Sequence, residues 1–209
     1  YKPYNTSVTI VANTNRILNV ALEKNLVRKW MHVGPPNITT NSGYYTKIAT
    51  DSYGQVYVAY MDCFYGGRIS VIKFNGYYWQ YVGVPGFSAG PASHISLFIY
   101  NNTPYVSFSD SYFGGRVCVG KYNGAYWEYV GSPGFSANPA SYTSLYVYNG
   151  ICYVAFKNGC KATVGRFNGM WWEVVGYPDV TNGEADYINL IVYNGTPYIS
   201  FKDLSLIHI

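Results

Sequence analysis

The chain is short of charge: Asp, Glu, Lys and Arg make up 11% of its 209 residues, well under the quarter usual in soluble domains. Its formal +4, from fourteen basic and ten acidic side chains, is spread thinly. No basic cluster of the kind that grips a phosphate backbone is present, which argues against a nucleic-acid partner. No apolar run reaches the ~18–20 residues of a transmembrane helix, so no membrane span is expected. The four cysteines, Cys63, Cys118, Cys152 and Cys160, form no Cys-x-x-Cys pair and no metal-ligand spacing. They read as apolar or loop thiols. A Cys152–Cys160 bridge is disfavoured, because the residue facing Cys152 across that hairpin falls nearer 165. No metal and no cofactor are expected.

Aromatic residues are abundant, at 19% with 25 tyrosines. Tyrosine favours strands and joins an apolar body to a polar tip. The dominant feature is a repeat. Trp30, Trp79, Trp127 and Trp172 stand 49, 48 and 45 residues apart. KFNGYYWQYVGVPGFSAGPAS (73–93) returns as KYNGAYWEYVGSPGFSANPAS (121–141), then as RFNGMWWEVVGYPDVTNGEAD (166–186). A period of roughly 40–50 with several strands per copy is the signature of propeller blades.

The best copy shows how a unit is built. Residues 94–100 alternate as a strand; a turn at 101–104 leads to a second strand, 105–109. The loop DSYFGG (110–115) precedes a third strand, 116–122, and the Asn123-Gly124 turn a fourth, 126–130. Asn149-Gly150 and Asn194-Gly195 are strong hairpin signals. Four antiparallel strands, A to D with A nearest the axis, make one blade. The fold class is therefore all-β, a β-propeller over 1–203 with no helix longer than a turn. Three complete blades span 45–82, 93–130 and 142–175, with A and B strands at 187–193 and 197–202. Before them, PYNTSV (3–8) resembles a B strand and ILNVALEK (17–24) a C strand, with Trp30 in D. Both ends fall inside a repeat, and there is no initiator Met or signal sequence, so a processed chain or fragment is expected. Residues 204–209 resemble translated adaptor read-through and are expected to be a non-native tail.

The pattern W-x-x-V-G-x-x-G-F-S-x-x-x-A-S-x-x-S-L, then N-G-x-x-Y-V-x-F, then K-x-x-V-x-x-F-N-G, resembles the highly repetitive propellers of secreted proteins, similar in style to tachylectin-like and WD40-like blades. That resemblance, over about 30–203, implies a ring of five to eight blades that binds glycans or proteins through loops on one face. The Trp-Asp ending of WD40 blades is missing, and no lectin ligand residue matches position by position.

Catalytic constellations are weak. Gly86-Phe87-Ser88-Ala89-Gly90 fits a nucleophile-elbow string but lies between strands, not on a strand–turn–helix. Asp51-Ser52-Tyr53-Gly54 resembles the Asp-box turn of sialidase blades, yet other copies have Asn-Gly there, which reads as a hairpin turn. Glu128 and Glu173 share a position with Gln80, which suits a solvent-facing site better than a general acid. The oxygen-rich segment 179–186 lacks EF-hand spacing, and His32 and His94 show no partner that would make them ligands. Arg68, Arg116 and Lys161 follow Asp62, Asp110 and Asn158 and read as B–C hairpin pairs. The chain is expected not to be an enzyme.

What remains is a binding module outside the cell, secreted or on its surface. Sequons at Asn5, Asn37, Asn101 and Asn194 favour that compartment. The D–A and B–C loops crowd one face and carry the candidate ligand residues Tyr65, Tyr112, Phe113, Phe87, Ser88, Phe135 and Ser136. Aromatic faces beside small hydroxyls suit sugar rings, and repetition supplies multivalency. The expected partners are glycans or other extracellular proteins. The competing reading is a structural or adhesive subunit that self-assembles in a coat or filament, its loops locking blade to blade. Burial discriminates: Phe87 and Phe135 packed beneath the adjacent blade would be scaffold residues.

Overall fold

The computed structural model describes residues 8–12, 16–20, 32–34, 38–39, 41–177, 180–181 and 183–203. The chain divides into two compact units, Tyr1–His32 and Val33–Ile209. In the first, β1 (Val8–Ala12) and β2 (Arg16–Val20) form an antiparallel hairpin. Most of the expected strand at 3–8, Trp30 and the tail 204–209 lie outside the described residues.

The second unit holds three four-stranded antiparallel sheets: β3 (Gly43–Thr50) to β6 (Trp79–Tyr81), β7 (Ala92–Tyr100) to β10 (Trp127–Tyr129), and β11 (Ala140–Tyr148) to β14 (Trp172–Val174). A two-stranded sheet follows, β15 (Ala185–Tyr193) and β16 (Thr196–Asp203). Each strand pairs with the next, as short turns dictate. Among the described residues the only helical pieces are 3-10 turns at Cys63–Tyr65 and Ser111–Phe113. The architecture is thus three complete propeller blades and two partial ones.

The A strands begin about two residues earlier than alternation predicts, because each contains a β-bulge. Pairing slips between Tyr44 and Lys47, Ser93 and Ser96, Ser141 and Ser144, and Asp186 and Asn189. Two residues there face one on strand B, which breaks the period of two and re-aims a side chain.

Tryptophan fastens the blades. Trp127 Nε1 donates to the Val82 carbonyl of the preceding blade at 2.7 Å, and Trp172 Nε1 to Val130 at 2.8 Å. Its ring requires glycine next to that carbonyl: a Cβ on Gly83, at φ +72°, would stand 3.0 Å from Trp127 Cδ1 and 2.9 Å from Tyr122. Between sheets, Val71, Ile95 and Phe108 fill one core and Val119, Leu145 and Phe156 the next. All four cysteines are free. Burial pushes the Cys118 and Cys152 thiols up to about 12, so they act as core residues.

Candidate functional site

The loop face is where the A strands start and where the D–A and B–C loops lie. The bulges govern its centre. In each, the first residue takes positive φ: Tyr45 52°, His94 50°, Tyr142 51° and Tyr187 53°. A bulky side chain in this region is unusual and costs backbone strain. In the later three the second bulge residue turns inward, burying Ile95, Thr143 and Ile188, whereas Thr46 is exposed. The first bulge residue lines the cavity formed by the A strands. The four rings form a ladder, with centroids 5.4 Å apart for Tyr45–His94, 5.3 Å for His94–Tyr142 and 5.1 Å for Tyr142–Tyr187. Burial holds the His94 pKa below its ordinary value.

Beneath the ladder the inner A-strand surfaces line a funnel of about 420 Å³. Ser96 Oγ accepts the Leu145 N–H and Ser144 Oγ accepts the Leu190 N–H, both at 3.0 Å, which fixes successive A strands. Thr143 Oγ1 donates to the His94 carbonyl, tying one rung to the next. Lys47 and Asn189 hold the positions equivalent to those serines at the outer two strands.

A second cavity of about 590 Å³ opens beside Tyr45, between the first two blades. Tyr44, Met61 and Pro91 give it apolar walls, and Ser93, Ser109 and Ser111 give hydroxyls. The corresponding interval between the third blade and β15 is filled by charge. There Lys157, equivalent to Met61, sends Nζ to Glu184 at 2.5 Å and Asp186 at 2.7 Å. Burial lowers the Lys157 pKa, but its bonds to Asp186 and Glu184 outweigh this and raise it. Glu184 and Asp186 are therefore committed to a lysine; Asp179 and Asn182 of the same oxygen-rich segment lie outside the described residues.

Among the loop residues singled out from sequence, Phe87 stacks on Trp127 of the next blade at 4.3 Å, and Phe135 on Trp172 at 4.1 Å. Ser88 Oγ accepts the Ile69 N–H and donates to the Gly90 carbonyl; Ser136 Oγ does the same with Val117 and Asn138. These four side chains are engaged in joining blades, and Ser88 sits in a loop without elbow geometry. Tyr65 and Phe113 occupy one half-buried position, edge-on to Tyr81 and Tyr129. Tyr112 is open to solvent (72% exposed), as is its counterpart Phe64 (60%), which sequence reasoning passed over.

The expected hairpin ion pairs are corrected in one respect. Asp110 faces Arg116 across the ladder, but its carboxylate accepts N–H groups from Ala89, Gly90 and Tyr112. The acid pins a D–A loop to the next blade. Burial raises its pKa, opposed by those three bonds and by the charge of Arg68 on the preceding blade. The Asp51 turn is a hairpin turn, with Oδ1 accepting from Tyr53 and Gln55. His94, read as having no partner that would make it a ligand, is the second rung of the ladder. The signal for it lay in the repeat: 45, 94, 142 and 187 carry the same 49, 48, 45 spacing as the tryptophans.

No protein-family pattern matches this sequence, and comparison with curated proteins gives no match. Solved structures match in fold. An α-L-arabinofuranosidase from Fusarium graminearum, complexed with an iminosugar inhibitor, has a TM-score of 0.52 at 14% identity, covering 75% of this chain and 55% of that one. This is a β-propeller. Trypanosoma rangeli sialidase with sialic acid gives 0.51 at 12% identity, covering 75% of this propeller and 28% of that chain. A fucose lectin from Kordia zhangzhouensis with methyl-fucoside gives 0.44 at 11% identity, covering 64% and 99%. The propeller thus spans 55% and 28% of the lengths of the two hydrolases. The expectation that the chain is not an enzyme is withdrawn: an arabinofuranosidase and a sialidase share this fold, so the fold does not exclude catalysis. Among the described residues no helix is long and apolar enough to cross a membrane.

Proposed function

We propose that the loop face of this propeller recognises carbohydrate, with the axial ladder as the primary contact and the cavity beside Tyr45 as its continuation. The observation that carries this reading is the aromatic ladder itself. Four bulky rings are held at positive φ where asparagine or glycine would be easier, and such strain persists where the presented group has a use. Rings bordered by serine hydroxyls and backbone groups offer what a sugar presents, an apolar face with hydroxyls at its edge. Tyr112 and Phe64 add exposed rings at the rim. A secreted or cell-surface setting belongs to the same proposal, supported by the sequons at Asn101 and Asn194, both exposed in A–B turns.

The test is a glycan-array screen of the wild type against Tyr142→Asn and Tyr45→Asn, with Tyr53→Ala, an exposed ring on the opposite face, as control. Binding that both ladder variants lose and the control keeps supports the proposal. Absence of binding to any glycan sinks it.

A further inference from the structure

The funnel beneath the ladder is not uniform along its length. Between the second and third blades two side-chain bonds tie one A strand to the next, with Ser96 accepting the Leu145 N–H and Thr143 donating to the His94 carbonyl. Between the third blade and β15 the serine bond recurs, from Leu190 to Ser144. Between the first and second blades neither bond can form. Lys47 stands 49 residues before Ser96, at the same step after the bulge, and Ile95 stands where the next copy has Thr143. An ammonium has no acceptor for the Leu97 N–H, and isoleucine has no donor for the Tyr45 carbonyl.

Lys47 also brings charge. It pairs in register with Ala59, whose side chain packs in the core shared with Ile95 and Phe108. Paired residues share a face, so Lys47 leaves the first sheet on the side of the second blade. There it is exposed and borders the funnel together with Tyr45, His94, Ser96 and Leu97. Among the described residues that line the funnel none is a carboxylate. A position that elsewhere ties the scaffold together is here given to a cation beside a backbone donor.

We propose that the sugar taken by the ladder is an acidic one, its carboxylate held by the Lys47 ammonium and the Leu97 N–H at the first-blade end of the funnel. This inference rests on the carbohydrate reading and narrows its ligand to carboxylate-bearing glycans. The two oxygens of a carboxylate match two donors, and the bond to the ammonium is charge-assisted. Tyr45 and His94 then meet the apolar face of the same sugar.

The test is an array of uronic-acid and sialic-acid oligosaccharides, each printed beside its carboxyl-reduced, neutral counterpart. The acidic member of a pair should bind about tenfold or more tightly. Lys47→Gln should erase that preference. Lys73→Gln, which removes equal charge beside the A–B and C–D turns, should leave it within about twofold. Lys47→Ser should also erase the preference while the urea midpoint holds or rises, since serine supplies the acceptor that Ser96 and Ser144 supply. Equal binding of both members, a preference retained in Lys47→Gln or lost in Lys73→Gln, or a lower midpoint in Lys47→Ser overturns the proposal and leaves the carbohydrate reading standing. Absence of binding to any printed glycan, acidic or neutral, removes the carbohydrate reading itself and this proposal with it.

Discussion

Tyr142 holds a φ of 51° between two other rings. For a residue with a β-carbon this region costs roughly 1–2 kcal/mol, and asparagine tolerates it better. Each ring contact returns about 0.5–1.5 kcal/mol. These effects nearly cancel. Tyr142→Asn should therefore leave the unfolding free energy within about 1 kcal/mol of wild type in a urea titration, while abolishing glycan binding. A loss of several kcal/mol would mark the ladder as scaffold. His94 adds a pH dependence. Its folded pKa lies below the ordinary 6.5 through desolvation, so the unfolded chain binds protons first. The stability it contributes is complete above pH 6.5 and falls as pH drops toward the depressed value. The urea midpoint should be lower at about pH 5 than at about pH 7.5, and the gap should shrink in His94→Asn, whose side chain does not titrate in that range.

At the scale of the element, the lock between Trp127 and Gly83 sets blade cohesion. Trp127→Phe removes a 2.7 Å bond to Val82 and part of the buried ring, a loss of about 2 kcal/mol. Gly83→Ala places a Cβ against that ring at positive φ and should cost about as much. Because the two residues touch, Gly83→Ala should cost less in the Trp127→Phe background, as a double-mutant cycle by chemical denaturation would show. The same lock ties Trp79 to Val33 and Trp172 to Val130, and this recurrence makes period, strand count and turns legible in the sequence. The bulges are not. A run such as His94-Ile95-Ser96-Leu97 alternates plausibly as a plain strand, and only the observed slip between Ser93 and Ser96 reveals that His94 leaves the sheet. The same limit hid the role of Phe87: G-F-S reads equally as an exposed loop aromatic or as a ring inserted under the next blade. Its stacking on Trp127 is a contact across 40 residues that no local pattern encodes.

For the molecule as a whole, near-identical copies are made different at a few positions. Lys157 with Asp186 stands where the second and third blades place Ser109 with Ser141. Lys157→Ser should destabilise by about 2 kcal/mol, since it leaves two carboxylates without their ammonium. Adding Asp186→Ser should recover at least half of that loss in thermal unfolding. The first and last sheets of the larger unit also carry exposed apolar residues, Ile48 (71%) and Ile191 (60%) among them. Sedimentation velocity should therefore show self-association that rises with concentration.

The ladder advances by one blade per rung, with nearly equal steps between 5.1 and 5.4 Å. Under the proposed carbohydrate reading, a chain lying on such a row would meet a corrugated potential whose wells are almost degenerate, and it would slide from one to the next at little cost. The Lys157 cluster and the third blade's shorter B–C loop interrupt that translation at one end. On that reading they would act as a lattice defect does on a travelling wave, lifting the degeneracy so that one register and one polarity of the ligand have the lowest energy.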